Sequence, residues 1–231
     1  MKKKIQNWDD IVIKGLREFS IVPTLDQIEA LVFHSEEMIK WNKTTNLTSI
    51  TDPEEVAVKH IVDSGILTNY CSGYDKILDI GTGAGFPGIP LKILLPEVEI
   101  TLIETIRKKV SFLKHIIRSL KLEKISAIQA RGEEQSNDEG FGGKYDAVVC
   151  RAFSGLDKFV NMAIPYLKED GVIFAMKGRE IEHETELLKK VDAPLFNGRR
   201  ITINDLDIEL NEYKLPIIVS DRVLFIIRIK N

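Results

Sequence analysis

Cysteine and long apolar runs are scarce in this chain, and their scarcity argues against several classes of protein. The 231 residues contain two cysteines, Cys71 and Cys150, with no CxxC pair and no cluster of Cys and His. These counts argue against a disulfide framework or a structural zinc site, and they suit a reducing cytoplasm. No apolar run approaches the roughly eighteen residues of a membrane span, so we expect no contact with a membrane.

A secretion signal and a metal-binding pattern are also missing. Lys2, Lys3 and Lys4 form a basic start, but polar residues interrupt the apolar stretch that a signal peptide needs directly afterwards. The histidines show no metal-ligand spacing. We therefore predict a cytoplasmic protein without a bound metal.

Acidic residues are almost absent from one segment, although the formal net charge of the whole chain is −3. Between residues 105 and 131 the only acid is Glu123. The basic residues of this segment are Arg107, Lys108, Lys109, Lys114, Arg118, Lys121, Lys124 and Arg131. Two interpretations stay open, a solvated helix face or a surface that binds phosphates.

Helical periodicity predicts an amino-terminal extension over residues 1–72 that packs on the core. Thr24 stands where it would cap the second helix of this extension. The expected elements are two amphipathic helices, a polar loop and a third helix, over residues 8–19, 28–39, 42–51 and 53–70.

From residue 73 onwards, apolar strands alternate with amphipathic helices, which is typical of a doubly wound parallel sheet. Two extended apolar segments close the chain, and a short turn containing Pro216 makes them antiparallel. The predicted strands are 76–80, 99–104, 124–129, 145–150, 172–176, 201–210 and 222–229, with helices near 87–95, 106–120 and 156–167. This α/β pattern predicts a class I methyltransferase (Rossmann-like) fold, with a mostly parallel seven-stranded sheet.

A glycine-rich turn follows the first predicted strand. Gly81, Gly83 and Gly85 let the backbone turn sharply and approach a ligand closely. Asp79 before them favours S-adenosylmethionine over a dinucleotide, because its carboxylate attracts the ammonium of a methionine group and repels a phosphate. Glu104 closes the next strand, where a ribose offers two hydroxyls. The alternative is that the glycines serve only a tight turn. We predict that residues 73–231 bind S-adenosylmethionine.

Several motifs, taken in order, resemble the GidB (RsmG) family of bacterial 16S ribosomal RNA guanine-N7 methyltransferases. They are GTGAGFPGIPL at 81–91, ARGEE at 130–134, CRAF at 150–153 and MKG at 176–178, preceded by NLT at 46–48 and HIVDS at 60–64. The resemblance covers about residues 41–177, and the combination of motifs is far more specific than the glycine turn alone.

The resemblance also implies roles for single residues. Gly81 and Phe86 are expected to line the cofactor, and Gly132 and Glu133 to contact its adenine side. Arg151 is expected to border both cofactor and substrate. Gly132 departs from the family pattern, where a side chain is common, and Glu104 stands where aspartate is common.

We expect Asn46, Arg151 and Lys177 to contact the substrate, with the two cations holding the guanine or its flanking phosphates. For Lys177 the alternative is a solvated lysine that ends the fifth strand. Guanine N7 carries a lone pair and loses no proton on methylation, so we expect no general base. His60 with Asp63 is interpreted as a helix-face pair, and Cys150 as a core residue rather than a nucleophile.

The expected partner is 16S ribosomal RNA, free or within the small ribosomal subunit or an assembly intermediate, and the enzyme is expected to act as a monomer. Two alternatives stay open. One is a methyltransferase that acts on a small metabolite, because the cofactor motif alone does not define the acceptor. The other is a non-catalytic RNA-binding module, against which the intact cofactor motif argues.

Overall fold

The computed structural model describes residues 8–132, 141–151, 153, 155–178, 181–196 and 198–230. The strands are β1 Lys76–Ile80, β2 Glu99–Glu104, β3 Ile125–Gln129, β4 Tyr145–Arg151, β5 Leu167–Lys177, β6 Asp192–Phe196, β7 Arg199–Thr202, β8 Leu206–Leu215 and β9 Ser220–Ile229. The helices are α1 Trp8–Arg17, α2 Leu25–Thr45, α3 Pro53–Val56, α4 Asp63–Gly65, α5 Thr68–Cys71, α6 Gly88–Leu94, α7 Arg107–Ser119, α8 Leu156–Ala163 and α9 Ile181–Leu188.

Seven strands form one sheet in the order β3-β2-β1-β4-β5-β9-β8. The first five are parallel, and β9 pairs antiparallel with both β5 and β8. The chain leaves β1 towards β2 and β3, and then returns to the other side of β1 to form β4. This reversal of direction opens a crevice at the carboxyl ends of β1 and β4, which is where ligands bind in such sheets. The predicted fold class is confirmed.

Apolar residues cover both faces of the sheet. Along β1, Ile77 belongs to a buried cluster with α1, α2, α6 and α7, whereas Leu78 belongs to a second cluster with α8. Successive side chains of a strand point to opposite faces, so the continuous apolar run of β1 serves two helix layers. Residues Trp8, Leu16 and Leu31 of the first two helices share the cluster of Ile77. The division of the chain at residue 72 stays a prediction.

The expected cap of α2 is present. The Thr24 hydroxyl accepts a hydrogen bond from the Gln27 amide at 3.2 Å, and the Gln27 side chain accepts one from the Thr24 amide at 2.9 Å. This reciprocal capping box satisfies two of the amide groups that a helix start leaves unpaired. Gln27 Nε2 also donates to the Ile93 carbonyl at 3.0 Å, which connects α2 to the end of α6.

The extents of several predicted elements differ from the structure. The strand expected over 172–176 is longer, because β5 begins at Leu167, and the helix expected near 156–167 ends at Ala163. The loop expected over 42–51 begins after Thr45, because α2 continues to that residue. The helix expected over 53–70 is helical over most of that range: a π-helix, Ala57–Val62, joins α3 to α4, and α5 follows after a short break.

The strand expected over 201–210 is divided in two. β7 pairs with β6 in a separate two-stranded sheet, a 3-10 turn spans Ile203–Asp205, and β8 then continues to Leu215. The Asp205 carboxylate accepts hydrogen bonds at 2.8 Å from both the amide and the hydroxyl of Thr202, and these bonds stabilise the turn. Within the described ranges, no helix is both long and apolar enough to cross a bilayer.

Candidate active site at the carboxyl ends of the strands

The glycine turn has the backbone conformation that the sequence predicts. Gly81 and Gly85 have φ angles of 73° and 91°, in the left-handed region that residues with a Cβ rarely adopt. The Gly81 amide donates to the Ile103 carbonyl of β2 at 2.9 Å, so the turn starts directly at the sheet edge. At Gly85 a Cβ would also lie 2.5 Å from Ile89 Cδ1, so this glycine is needed for packing as well.

Asp79 lies beneath this turn and is fully buried. Its Oδ2 accepts hydrogen bonds from the Thr82 hydroxyl at 2.6 Å and the Gly88 amide at 2.9 Å. The carboxylate therefore joins the end of β1 to the turn and to the start of α6. Its Oδ1 has no hydrogen-bond partner among the described residues. A contact of Asp79 with the cofactor ammonium stays a prediction, and the unpaired oxygen is the atom available for it.

Burial raises the pKa of Asp79 from 3.8 to about 7. The folded state thus binds this proton more tightly than the unfolded state does. The contribution of Asp79 to stability is fully present below its ordinary pKa and is lost as the pH rises towards 7.

We expect Asp79→Asn, which does not titrate, to become more stable relative to the wild type as the pH rises. The difference in unfolding free energy should change by at most about 1.4 kcal/mol per pH unit between pH 4 and 7. Urea unfolding of both proteins at pH 5, 6, 7 and 8 measures it. A difference that does not vary with pH would show that Asp79 is ionised throughout.

Glu104 lies where the sequence predicts it, at the end of β2 and beside the turn. Its two oxygens accept hydrogen bonds from the Gly83 amide at 3.1 Å and the Ile106 amide at 2.9 Å. The carboxylate therefore connects the glycine turn to Ile106, the residue at the N-cap position of α7. Its contact with a ribose stays a prediction.

Phe86 stacks with two histidine rings. Its ring centroid lies 4.6 Å from that of His34 and 4.7 Å from that of His60, at interplanar angles of 27° and 24°. His34 Nε2 donates to the Ala84 carbonyl at 2.8 Å, which connects α2 to the turn. Burial lowers the pKa of His34 to about 4, so this ring is neutral at neutral pH. The stack holds the turn against the amino-terminal helices.

Arg151, at the end of β4, is held by the segment 59–63. Its guanidinium donates to the Lys59 carbonyl at 2.6 Å and to His60 Nδ1 at 2.9 Å. Since Nδ1 accepts, the His60 proton lies on Nε2, which donates to the Thr48 hydroxyl at 2.9 Å. Burial and the charge of Arg151 lower the pKa of His60 to about 3. A neutral histidine thus connects Arg151 to the loop after α2.

Asp63 is a buried carboxylate that contacts three strands. The Tyr213 hydroxyl of β8 donates to its Oδ1 at 2.8 Å, while Arg222 Nε of β9 and Arg151 Nη1 lie 3.6 and 3.9 Å from Oδ2. Burial raises the pKa of Asp63, although both guanidinium groups oppose this shift. His60 and Asp63 were expected to act as a pair, and in the structure both hold Arg151.

A cavity of about 510 Å³ opens beside these groups. Of the residues predicted for the site, its wall includes Gly81, Gly83, Phe86, Arg151 and Lys177. It also includes residues 47–50, His60 and Arg222, which sequence reasoning did not assign to the site.

Lys177 is in the wall of the cavity but is already paired. Its ammonium donates to the Phe153 carbonyl at 2.6 Å and to a Glu184 oxygen at 2.8 Å, and its side chain is 6% exposed. The alternative of a solvated lysine is therefore wrong. The other Glu184 oxygen accepts from the Leu156 amide at 3.0 Å, so this ion pair holds the segment that follows β4. A contact between Lys177 and the substrate stays a prediction.

Asn46 ends α2 in the left-handed conformation, with φ of 44° and an exposed side chain. The cavity wall begins at the next residue, Leu47. The residue that shapes this wall is Asn42, whose Oδ1 accepts from the amides of Leu47 at 2.6 Å and Thr48 at 3.0 Å. The sequence shows Asn42 as one polar residue among several, so it offered no signal for this role. A substrate contact of Asn46 stays a prediction.

The packing around Gly132 explains why it has no side chain. A Cβ there would lie 2.2 Å from Met162 Sδ and 3.0 Å from Ile80 Cγ2. The Tyr166 hydroxyl also donates to the Gly132 carbonyl. Glu133, the other residue expected on the adenine side, lies outside the described residues. Cys150 is buried, and burial raises the pKa of its thiol well above the usual value, which argues against a nucleophilic role.

The basic segment forms α7 and its flanks. The first turn of α7 contains no acid, and Arg107, Lys114, Arg118 and Lys121 are exposed. The buried face of α7 consists of Val110, Phe112, Leu113 and Ile116, whereas Ile117 and Leu120 are half-buried.

Solved structures resemble this fold at low sequence identity. TYW2 from M. jannaschii in complex with AdoMet has a TM-score of 0.52 and 18% identity, covering 74% of this chain and 76% of that chain. The ribosomal protein L11 methylase from Lactobacillus delbrueckii subsp. bulgaricus has a TM-score of 0.52 and 13% identity, with 75% and 79% covered. The sheet order and the glycine turn therefore define a class I methyltransferase with a Rossmann-like fold.

The chain belongs to the GidB family, rRNA small subunit methyltransferase G, whose sequence model matches residues 27–199. The ribosomal RNA small subunit methyltransferase G of Desulfitobacterium hafniense is 44% identical over 181 residues, covering 74% of this chain and 75% of the relative. That of Geobacter metallireducens is 35% identical over 226 residues, with 98% of each chain covered. The family confirms the predicted type of enzyme, an rRNA methyltransferase that depends on S-adenosylmethionine.

Proposed function

We propose that this enzyme transfers a methyl group from S-adenosylmethionine to N7 of a guanine in 16S ribosomal RNA. The observation that carries the proposal is the cavity beside the glycine turn, in whose wall the described titratable side chains already have partners. Both ring nitrogens of His60 are engaged, and Asp63 is surrounded by Arg151, Arg222 and Tyr213. Such groups are poorly placed to remove a proton. Methylation of guanine N7 removes none, because the attacking atom is a lone pair.

The residues around the turn fit the cofactor. A Cβ at Gly83 would meet no atom within 4 Å, which leaves open space beside the turn, and Asp79 Oδ1 is a buried acceptor without a partner among the described residues. Asp79 would hold the ammonium of the methionine group, and Glu104 the ribose. S-adenosylmethionine supplies an activated methyl group on a positively charged sulfur. The chain contributes position and the exclusion of water, and ideal orientation is worth up to roughly 7–11 kcal/mol.

We expect Glu104→Ala to weaken S-adenosylmethionine binding by about 1.5–3 kcal/mol, because it removes charge-assisted hydrogen bonds to the ribose. The substitution also leaves the Gly83 and Ile106 amides without this acceptor. Glu104→Gln, which keeps an acceptor oxygen, is therefore measured beside it by calorimetry. Unchanged affinity in both variants would contradict the ribose assignment.

The proposal includes the basic face of α7 as a contact for RNA phosphates. Replacing Lys114 and Arg118 by Gln should flatten the dependence of RNA affinity on salt by roughly one unit for each lost contact, because fewer counterions are released. S-adenosylmethionine affinity should not change. Lys189→Gln with Lys190→Gln removes two exposed cations elsewhere and is the control. An unaltered salt slope in the α7 variant would make this face a solvated helix surface.

We also propose that the enzyme acts in the cytoplasm as a monomer, on a small ribosomal subunit or an assembly intermediate. The test uses cofactor with a labelled methyl group, presented with naked 16S rRNA and with small subunits from cells that lack the enzyme. Cleavage at N7-methylguanosine by borohydride and aniline maps the product. A label on another atom, or transfer only to small metabolites, would overturn the proposal.

A further inference from the structure

The hairpin of β8 and β9 has an apolar tip that no role described above explains. The tip is Pro216–Val219, and two of its side chains are exposed, Val219 at 74% and Ile217 at 37%. Both residues have positive φ angles, 71° for Ile217 and 40° for Val219. Residues branched at Cβ are genuine outliers in this region of conformation, and such outliers cluster at functional sites. The left-handed backbone at positions 217 and 219 therefore makes Ile and Val unfavourable there for the stability of the fold.

The sheet register puts this tip on the same edge as the cavity. Val223 of β9 pairs with Lys177, the last residue of β5 and part of the cavity wall. Because β9 is antiparallel to β5, the residues that precede Val223 continue past the carboxyl end of β5. Three residues from Val223 to Ser220 extend about 10 Å, and the tip lies further on. Arg222 on the same strand lines the cavity.

The position of the tip favours nucleic acid as its partner. The charges beside it are mixed: the Lys214 side chain is 74% exposed and lies 4.0 Å from an Asp221 oxygen, while Arg222 and Arg151 in the cavity wall share the buried Asp63. An RNA whose guanine enters the cavity presents its neighbouring bases at this same edge, and their faces are apolar like the tip. Apolar side chains are known to insert between bases and unstack them.

We propose that Ile217 and Val219 pack against a nucleobase of the rRNA beside the guanine in the cavity, and so keep that guanine unstacked. This inference rests on the proposed function, and it extends the substrate site to the hairpin, which lies beyond the residues that the family model matches. A base inside a stacked helix is inaccessible to a buried methyl donor, so an unstacking element has a direct use at this edge.

The main test is the double variant Ile217→Asn with Val219→Asn, assayed with small-subunit particles and the full-length enzyme. Asn tolerates the left-handed conformation, so the thermal unfolding midpoint should stay the same or rise. S-adenosylmethionine affinity should be unchanged, while kcat/KM for the particle should fall about tenfold. Loss of activity without loss of stability separates a contact with RNA from a structural role.

Two controls accompany this variant. Val22→Asn with Leu25→Asn removes two exposed apolar side chains, at 75% and 76%, just before and at the start of α2, and it should leave kcat/KM unchanged. Ile217→Leu with Val219→Leu keeps the tip apolar and should retain most of the activity. Wild-type kcat/KM in the Asn variant, or an equal loss in the Leu variant, would overturn the proposal.

Photocrosslinking from a benzophenone amino acid at position 219 identifies the partner without any turnover. A crosslink to 16S rRNA is expected, and a crosslink only to a ribosomal protein or to a second copy of the chain would overturn the proposal. The two proposals also fail differently. A wild-type enzyme that methylates no rRNA contradicts the proposed function, whereas an active wild type matched by the Asn variant contradicts only the role of the hairpin.

Discussion

Gly81→Val is expected to abolish S-adenosylmethionine binding. The φ angle of 73° at Gly81 is strongly unfavourable for a residue branched at Cβ, so the turn has to change conformation. The effect comes from the backbone, since a Cβ would lie 3.5 Å from the Phe153 ring, an ordinary contact. The turn also contains Gly83, whose amide donates a hydrogen bond to the Glu104 carboxylate. A changed turn therefore disturbs the ribose side of the site.

Calorimetry with S-adenosylmethionine measures the loss, and circular dichroism establishes that the variant is folded. Gly73→Val is the matched control, because this glycine lies outside the site and a Cβ there meets no atom within 4 Å. The control should bind the cofactor as the wild type does. A folded Gly81→Val protein with unchanged affinity would mean that the cofactor binds elsewhere.

Asp63→Ala is expected to lower the free energy of unfolding by about 3–5 kcal/mol. The Asp63 side chain is almost completely buried, and its removal takes away the carboxylate that Arg151 and Arg222 share. The Tyr213 hydroxyl also loses its acceptor. Methyl transfer should fall along with stability, because Arg151 lies in the cavity wall.

Urea unfolding measures this loss, and Tyr213→Phe is the graded control. That variant removes one hydrogen bond and keeps both ion pairs, so it should cost only about 1 kcal/mol. Similar losses in the two variants would show that the guanidinium groups find other partners. A loss below about 1 kcal/mol in Asp63→Ala would contradict the role of this carboxylate as a buried anchor.

The sequence alone predicted the features that depend on neighbours in the chain. Apolar runs of strand length, alternating with helical periodicity, predicted β1, β2 and β4 within one residue, because these strands bury both faces. The glycine turn and Glu104 were located for the same reason, since both follow directly from the end of a strand. β5 begins at Leu167, five residues before its predicted start. The prediction of one strand over 201–210 is wrong, because a hydrogen bond from the Thr202 hydroxyl to the Asp205 carboxylate stabilises a turn within this segment.

Tertiary structure decided which distant residues meet in the site. His34 and His60 both stack with Phe86 although the three residues come from separate elements, and no spacing in the sequence relates them. Arg222 reaches the cavity only because β9 inserts between β5 and β8. The sequence does not show whether Lys177 is solvated or paired, because its pairing with Glu184 depends on where the fold places α9. The local sequence determines the backbone conformation and which side chains are buried. A buried polar group bonds to a partner that the folded chain brings within hydrogen-bond distance, and that partner can lie far away in the sequence.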